Sequence, residues 1–186
     1  RGEGHMKALM PMMIESARKR GMAMLVLGGN RQRYNYFGFD NAGITHRFSI
    51  TGSTVRHALA TVNDDDISFS IVTGDKEDGV AFCRGLSESQ TVTGVRPQDE
   101  YMDIMHSWRS ELKLILKDNE RIGYVFARSG ELVLTDESLL LQVVKKLYRE
   151  NGGDYTLSVP PYMTERLRII SPVAGGETIG TVEMVN

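Results

Sequence analysis

The chain has 186 residues, with 22 Lys and Arg against 24 Asp and Glu and a formal net charge of -2. So balanced a chain carries no large basic field to hold a nucleic-acid backbone, and its longest apolar runs are far too short to cross a bilayer. One cysteine, Cys83, cannot form an internal disulfide; with no secretory pattern at the start, a reducing, cytoplasmic location is expected.

From His5 to Arg20 the apolar positions Met6, Leu9, Met10, Met13, Ile14 and Ala17 recur at helical spacing, and Gly21 is a C-terminal stop. Pro11 is the misfit, costing roughly 3 kcal/mol inside a helix; it predicts a kink there or a helix that starts later. Met10, Met12 and Met13 read as a core stripe. The run 22–27 reads as a buried parallel strand. Arg31 to Phe37 predicts one or two helical turns ended by Gly38. After a turn at 41–43, Ile44, His46, Phe48 and Ile50 alternate with polar residues as a half-buried antiparallel strand. Residues 54–61 carry only a weak pattern, read as a short helix or another strand. The polar run 63–66 reads as a solvated linker and marks the expected boundary.

A second unit follows. A strand is predicted over 67–72, a short helix over 78–86, loop or strand over 90–95, and a helical stretch from Pro97 through Met102, Met105 and Trp108. Strands at 112–116, 122–127 and 132–134, separated by turns, make a β-meander. Thr135 or Asp136 then caps a helix with Leu139, Leu140, Val143, Val144 and Leu147 on its buried face. A strand at 155–159 stops at Pro160-Pro161, and apolar segments close the chain. The predicted fold is α/β, an α+β mixed-sheet arrangement, and the two units share an order of elements.

The opening residues carry the chemistry. A glycine turn leading into a helix presents backbone N–H groups and the positive end of a dipole, an anion site. Arg1-x-x-Gly4, a helix, the strand Leu25-Val26-Leu27, then Tyr34 four residues before Gly38-Phe39 resembles the second half of a GCN5-related N-acetyltransferase domain. The resemblance covers about residues 1–43 well and the second unit only as an architecture. It implies an acyl-CoA N-acyltransferase-like fold, in which 1–63 is the C-terminal part of an acetyl-CoA-binding domain and 64–186 a second, degenerate domain of tandem type. It implies strands upstream of Arg1. Gly4-His5-Met6 also matches a cloning scar, although the helical pattern continues smoothly through it.

By the same resemblance the protein is an enzyme using acetyl-CoA as co-substrate, acetylating a small-molecule or peptide amine by direct attack on the thioester, with weak activity or none expected of residues 1–186 alone. Arg1, Gly2, Gly4, His5 and Met6 would meet the pyrophosphate, the last four through main-chain donors. Tyr34 would protonate the departing thiolate as general acid. No nucleic acid, membrane or metal is expected; self-association is left open, and the general base would lie upstream. Three departures stand out. Met6 occupies a position the family keeps for Gly or Ala, the family's asparagine before the tyrosine has no clear counterpart beyond Asn30, and residues 135–138 lack a glycine loop.

Other residues receive plainer readings. Tyr36 and Phe37 are packing aromatics, and Arg1, Arg31 and Arg33 are solvated more often than phosphate-bound. His5, His46, His57 and His106 lack metal-ligand spacing. Cys83 is a small core residue, and Glu77, Asp78, Asp64 to Asp66 and Glu137 are solvated charges. Trp108 is a core or interface anchor. A non-catalytic acetyltransferase-like binding module is the alternative function.

Overall fold

A computed structural model describes residues 4–28, 31–74, 76–107, 110–126 and 130–185, with backbone alone at 31 and 182–185. Arg1, Gly2, Asn30, Trp108 and the Arg31 side chain lie outside the described residues. By packing, the chain divides into Arg1–His46 with Ile179–Asn186, and Arg47–Thr178. The boundary expected at 63/64 concerns ancestry, to which this division does not speak.

In the first unit the helical periodicity becomes α1, His5–Lys19. It starts at His5 in spite of Pro11, which has no N–H to give the Lys7 carbonyl. Burial of Met10 and Ile14, on the order of 1.5–3 kcal/mol for a side chain of that size, offsets this cost. With Ala17 they form one face at i, i+4 and i+7. The methionine run is not a core stripe: Met10 is buried, but Met12 is 67% and Met13 42% exposed. At 3.6 residues per turn, Met12 points roughly 200° away from Met10.

The expected buried parallel strand is corrected too. β1 is only Val26–Leu27 and pairs antiparallel with β8 (Glu177–Val185), Val26 opposite Val185 and Leu27 opposite Met184. Met22, Met24 and Val26 are exposed, whereas Leu25 and Leu27 pack inward. A strand whose outward residues are also apolar is indistinguishable, as a sequence, from one covered on both faces. Next come α2 (Arg31–Tyr34) and a 3-10 turn at Asn35–Phe37, ended by Gly38 at φ 84. β2 then runs Asp40–Ile50, and β8 lies beside it in the sheet. Residues 41–43, expected as a turn, fall within this strand.

The second unit keeps the predicted meander. β3 (Ile67–Ile71), β4 (Leu112–Lys117), β5 (Glu120–Phe126) and β6 (Glu131–Leu134) pair antiparallel in that order. Asp118 and Asn119, the two residues between β4 and β5, both have positive φ, as a type I′ hairpin turn requires. In β5, Gly123 faces Ile115 and Arg121 faces Leu116, which leaves Ile122 as the extra residue of a bulge.

One core joins this sheet to α6 (Leu140–Glu150) through Val143, Val144 and Leu147, with Leu157 and Val159 of β7 (Tyr155–Val159) and Ile170 of α7 (Thr164–Ile170). A second core holds Cys83 of α4 (Glu77–Glu88) with Tyr101 and Met105 of α5 (Tyr101–Met105). The helix expected from Pro97 begins only at Tyr101, because Pro97 sits in a turn closed by the Glu100 N–H on its carbonyl. The weak pattern after Thr51 is α3 (Gly52–His57), opened by a reciprocal Thr51–Thr54 capping box.

Several charges read as solvated are structural. Asp64 is 1% exposed and meets Arg149 at 3.0 Å and Lys145 at 3.8 Å. Asp66 pairs with Lys117, and Glu137 with the buried Arg166. The polar run 63–66 is therefore pinned to α6 and β4, because a carboxylate withdrawn from water needs a partner. Asp78, paired with Arg121, remains on the surface as expected. No helix among the described residues is long and apolar enough to cross a membrane.

Candidate functional site

The first unit holds the described candidate residues. Gly4 caps α1 at φ 75, in the left-handed region where glycine is strain-free. A Cβ built there would meet no heavy atom of the described residues within 4 Å, so among them the requirement for glycine is conformational. The Gly4 carbonyl accepts the Lys7 N–H at 2.9 Å and the Ala8 N–H at 3.3 Å, which starts the helical ladder. The first turn, His5, Met6, Lys7 and Ala8, contains no acid and one cation. No side chain of that turn therefore cancels the positive end of the helix, and the residues present suit an anionic group such as a pyrophosphate. Met6, the departure from the family's loop, is 37% exposed.

Tyr34 ends α2 and is half-buried. It packs against the cluster of Met10, Ile14 and Phe39 that also receives Leu25 and Leu27. Its carbonyl accepts the Phe39 N–H at 3.3 Å. The Gly38-Phe39 pair thus has a physical role beside the tyrosine. Gly38 turns the chain at positive φ, and fully buried Phe39 anchors it against α1. Gly4, His5, Met6 and Tyr34 all belong to this one packing unit.

Tyr36 corrects the sequence reading. It is 76% exposed rather than packed, with the Lys7 ammonium 5.9 Å from its ring centroid and the Phe37 ring edge-on at 5.0 Å and 88°. Phe37 is half-buried and does pack on the cluster. A groove of about 560 Å³ opens here, with Lys7 and Arg18 of α1 on one wall. Sequence reasoning passed over Lys7 and Arg18; their signal was the 7, 11, 14 and 18 spacing, one face of a helix.

The second unit's polar groups serve its own structure. Arg96 grips Glu131 through two nitrogens, at 3.1 and 2.6 Å, and Tyr124 donates its hydroxyl to the same carboxylate at 2.5 Å. Burial raises the Tyr124 phenol above its ordinary range, the Glu131 hydrogen bond adding to the effect. Asp136 caps the 3-10 turn Glu137–Leu139 by accepting the Ser138 N–H at 2.8 Å, which holds its carboxyl below the ordinary value. The start of α6 thus already carries a carboxylate where the first unit offers glycine and a cation.

No protein-family model and no curated protein matches the chain. Solved structures do. A GCN5-related N-acetyltransferase from Kribbella flavida is similar at a TM-score of 0.59 and 16% identity. A conserved protein of unknown function and probable N-acyltransferase from Enterococcus faecalis V583 is similar at 0.64 and 14%. A GCN5-related N-acetyltransferase from Anabaena variabilis is similar at 0.59 and 11%. Each alignment covers 100% of this chain but 48%, 50% and 51% of the respective neighbours, so the chain spans about half their length. The fold is the mixed α+β fold of these N-acyltransferases.

Proposed function

We propose that this protein is an acetyl-CoA-dependent N-acetyltransferase that moves an acetyl group to a primary amine by direct attack on the thioester. The observation that carries the reading is that Tyr34 packs on the cluster to which α1 contributes Met10 and Ile14, and that the acid-free N-terminus of α1 opens at Gly4. The shared fold supports it. Main-chain N–H groups of Gly4, His5 and Met6 hold the pyrophosphate. The amine nitrogen forms a C–N bond to the acetyl carbon while the C–S bond breaks. Tyr34 gives its hydroxyl proton to the departing sulfur, and the ammonium proton of the product passes to a base or to solvent. The acceptor is a small-molecule or peptide amine.

Calorimetry of the full chain with acetyl-CoA is expected to show saturable binding; its absence defeats the reading. Replacing Tyr34 with Phe is expected to lower turnover about 100-fold with little change in acetyl-CoA affinity, and an unchanged rate removes the acid role. Met6, a long side chain where the resembled family keeps Gly or Ala, favours a second reading as a non-catalytic module. Binding of acetyl-CoA with no transfer to any amine of a broad panel would select it.

A further inference from the structure

We propose that β3 is a self-association edge, to which a second copy of this chain adds its own β3, antiparallel, about a two-fold axis at Phe69. Among the described residues β3 pairs on one side only, with β4, and its other side is the edge of the sheet. The strand reads Ile67-Ser68-Phe69-Ser70-Ile71, the same in both directions. It holds no charge, no proline and no break in register, the usual protections of an open edge. Turned about Phe69, it sets Phe69 opposite Phe69, Ser68 opposite Ser70 and Ile67 opposite Ile71 of the other copy, and no like charges meet. Half-buried Phe69 and Ile71, 46% exposed, would both gain apolar neighbours. The Lys76 ammonium, held at this edge on the Ile71 carbonyl, would face the end of the other strand that follows Asp65 and Asp66.

The hydrogen-bonding groups left on the edge fit that register. The Val72 N–H donates to the Leu112 carbonyl at 2.9 Å and the Asp118 N–H to the Asp66 carbonyl at 3.1 Å. The alternation of an antiparallel ladder then turns the groups of Asp66, Ser68, Ser70 and Val72 toward β4 and those of Ile67, Phe69 and Ile71 outward. Of the outward groups, the Ile67 N–H donates to the Asp64 carbonyl at 3.2 Å, and the Ile71 carbonyl accepts from Lys76 at 3.2 Å. The N–H groups of Phe69 and Ile71 and the carbonyls of Ile67 and Phe69 remain. About the two-fold, each Phe69 N–H meets the other Phe69 carbonyl, and each Ile71 N–H the other Ile67 carbonyl. The pairing omits only bonds from the Ile67 N–H to the Ile71 carbonyl, and the chain already satisfies both of those groups itself. A slip of two residues would use half as many.

An edge this short makes a small interface, so the dimer is expected to be reversible. Sedimentation of the full chain over a concentration series should show monomer and dimer in exchange, and the Phe69 and Ile71 amides should exchange with deuterium more slowly as concentration rises. Ile71→Pro removes an outward N–H and keeps the pairing with β4; it is expected to weaken the dimer about tenfold. The serines test the register, because they lie opposite each other across the axis. Ser68→Glu with Ser70→Lys should strengthen the dimer, and Ser68→Lys with Ser70→Lys should abolish it. A monomer up to millimolar concentration overturns the proposal, even where the edge accepts an extended peptide of another protein. A dimer indifferent to both serine pairs, or larger species that persist in Ile71→Pro, overturns it as well and puts the contact on another surface.

Discussion

Arg166 and Glu137 form a two-pronged ion pair: the Arg166 Nε donates to Glu137 Oε2 at 2.8 Å and Nη2 donates to Oε1, with the arginine side chain 3% exposed. The remaining nitrogen donates to the Leu132 carbonyl, so one guanidinium ties α7 to β6 and to the turn before α6. Removing the acid strands a buried cation. Glu137→Ala is expected to cost about 3 kcal/mol in chemical denaturation, with Glu137→Gln intermediate. A cost no larger than the ~0.5 kcal/mol typical of an exposed pair would show that the cation is not desolvated.

Gly123 is where two strands come too close for any side chain. A Cβ there would sit 2.3 Å from the Val133 carbonyl oxygen and 2.9 Å from Leu134 Cδ2, beside the Ile122 bulge. Gly123→Ala is expected to destabilise by about 3 kcal/mol. Gly85→Ala, on the exposed face of α4 with nothing within 4 Å, is expected to stabilise by about 0.5–1 kcal/mol. Equal effects in thermal melts would contradict this account of β5.

The hydrogen bond from Lys117 holds the Asp66 carboxyl below the ordinary value, with the Lys117 charge assisting. Its folded pKa lies under its unfolded one. The stabilisation is therefore present above the unfolded carboxylate value, about 3.9, and is lost as pH falls through the folded pKa. Lys117→Met should be less stable than the parent at neutral pH, and the gap should close below about pH 4. A gap constant from neutral to acid pH would assign the loss to packing.

Burial pushes the Cys83 thiol up to about 12. The native protein should resist thiol reagents at pH 8 until it is unfolded. Above the unfolded thiol's value, about 8.5, only the unfolded chain ionises, so this contribution to stability falls as pH rises toward the folded value. Cys83→Ala should flatten that alkaline decline, and an unchanged slope would refute it.

Periodicity made α1, the meander and α6 legible, because a helix or strand must carry its apolar residues on one face whatever covers it. Turn chemistry did the same for Asp118-Asn119 and Gly38, where positive φ restricts the residue type. Much of the candidate site was legible for a similar local reason: a glycine opening a helix, and a tyrosine set before Gly38-Phe39, lie within one short stretch of chain. Tertiary structure decided what lies across from each face. β1 meets β8, from the far end of the chain, and nothing in 22–27 records that direction. Asp64 and Glu137 look like any surface acid until Arg149 and Arg166 arrive through long-range packing. Tyr36 and Phe37 are adjacent aromatics, yet Phe39 and α1 leave room to cover one of them and not the other. The sequence by itself determined which residues seek burial or turns; only the assembled chain, where side chains compete for limited space and partners, decided which obtained them.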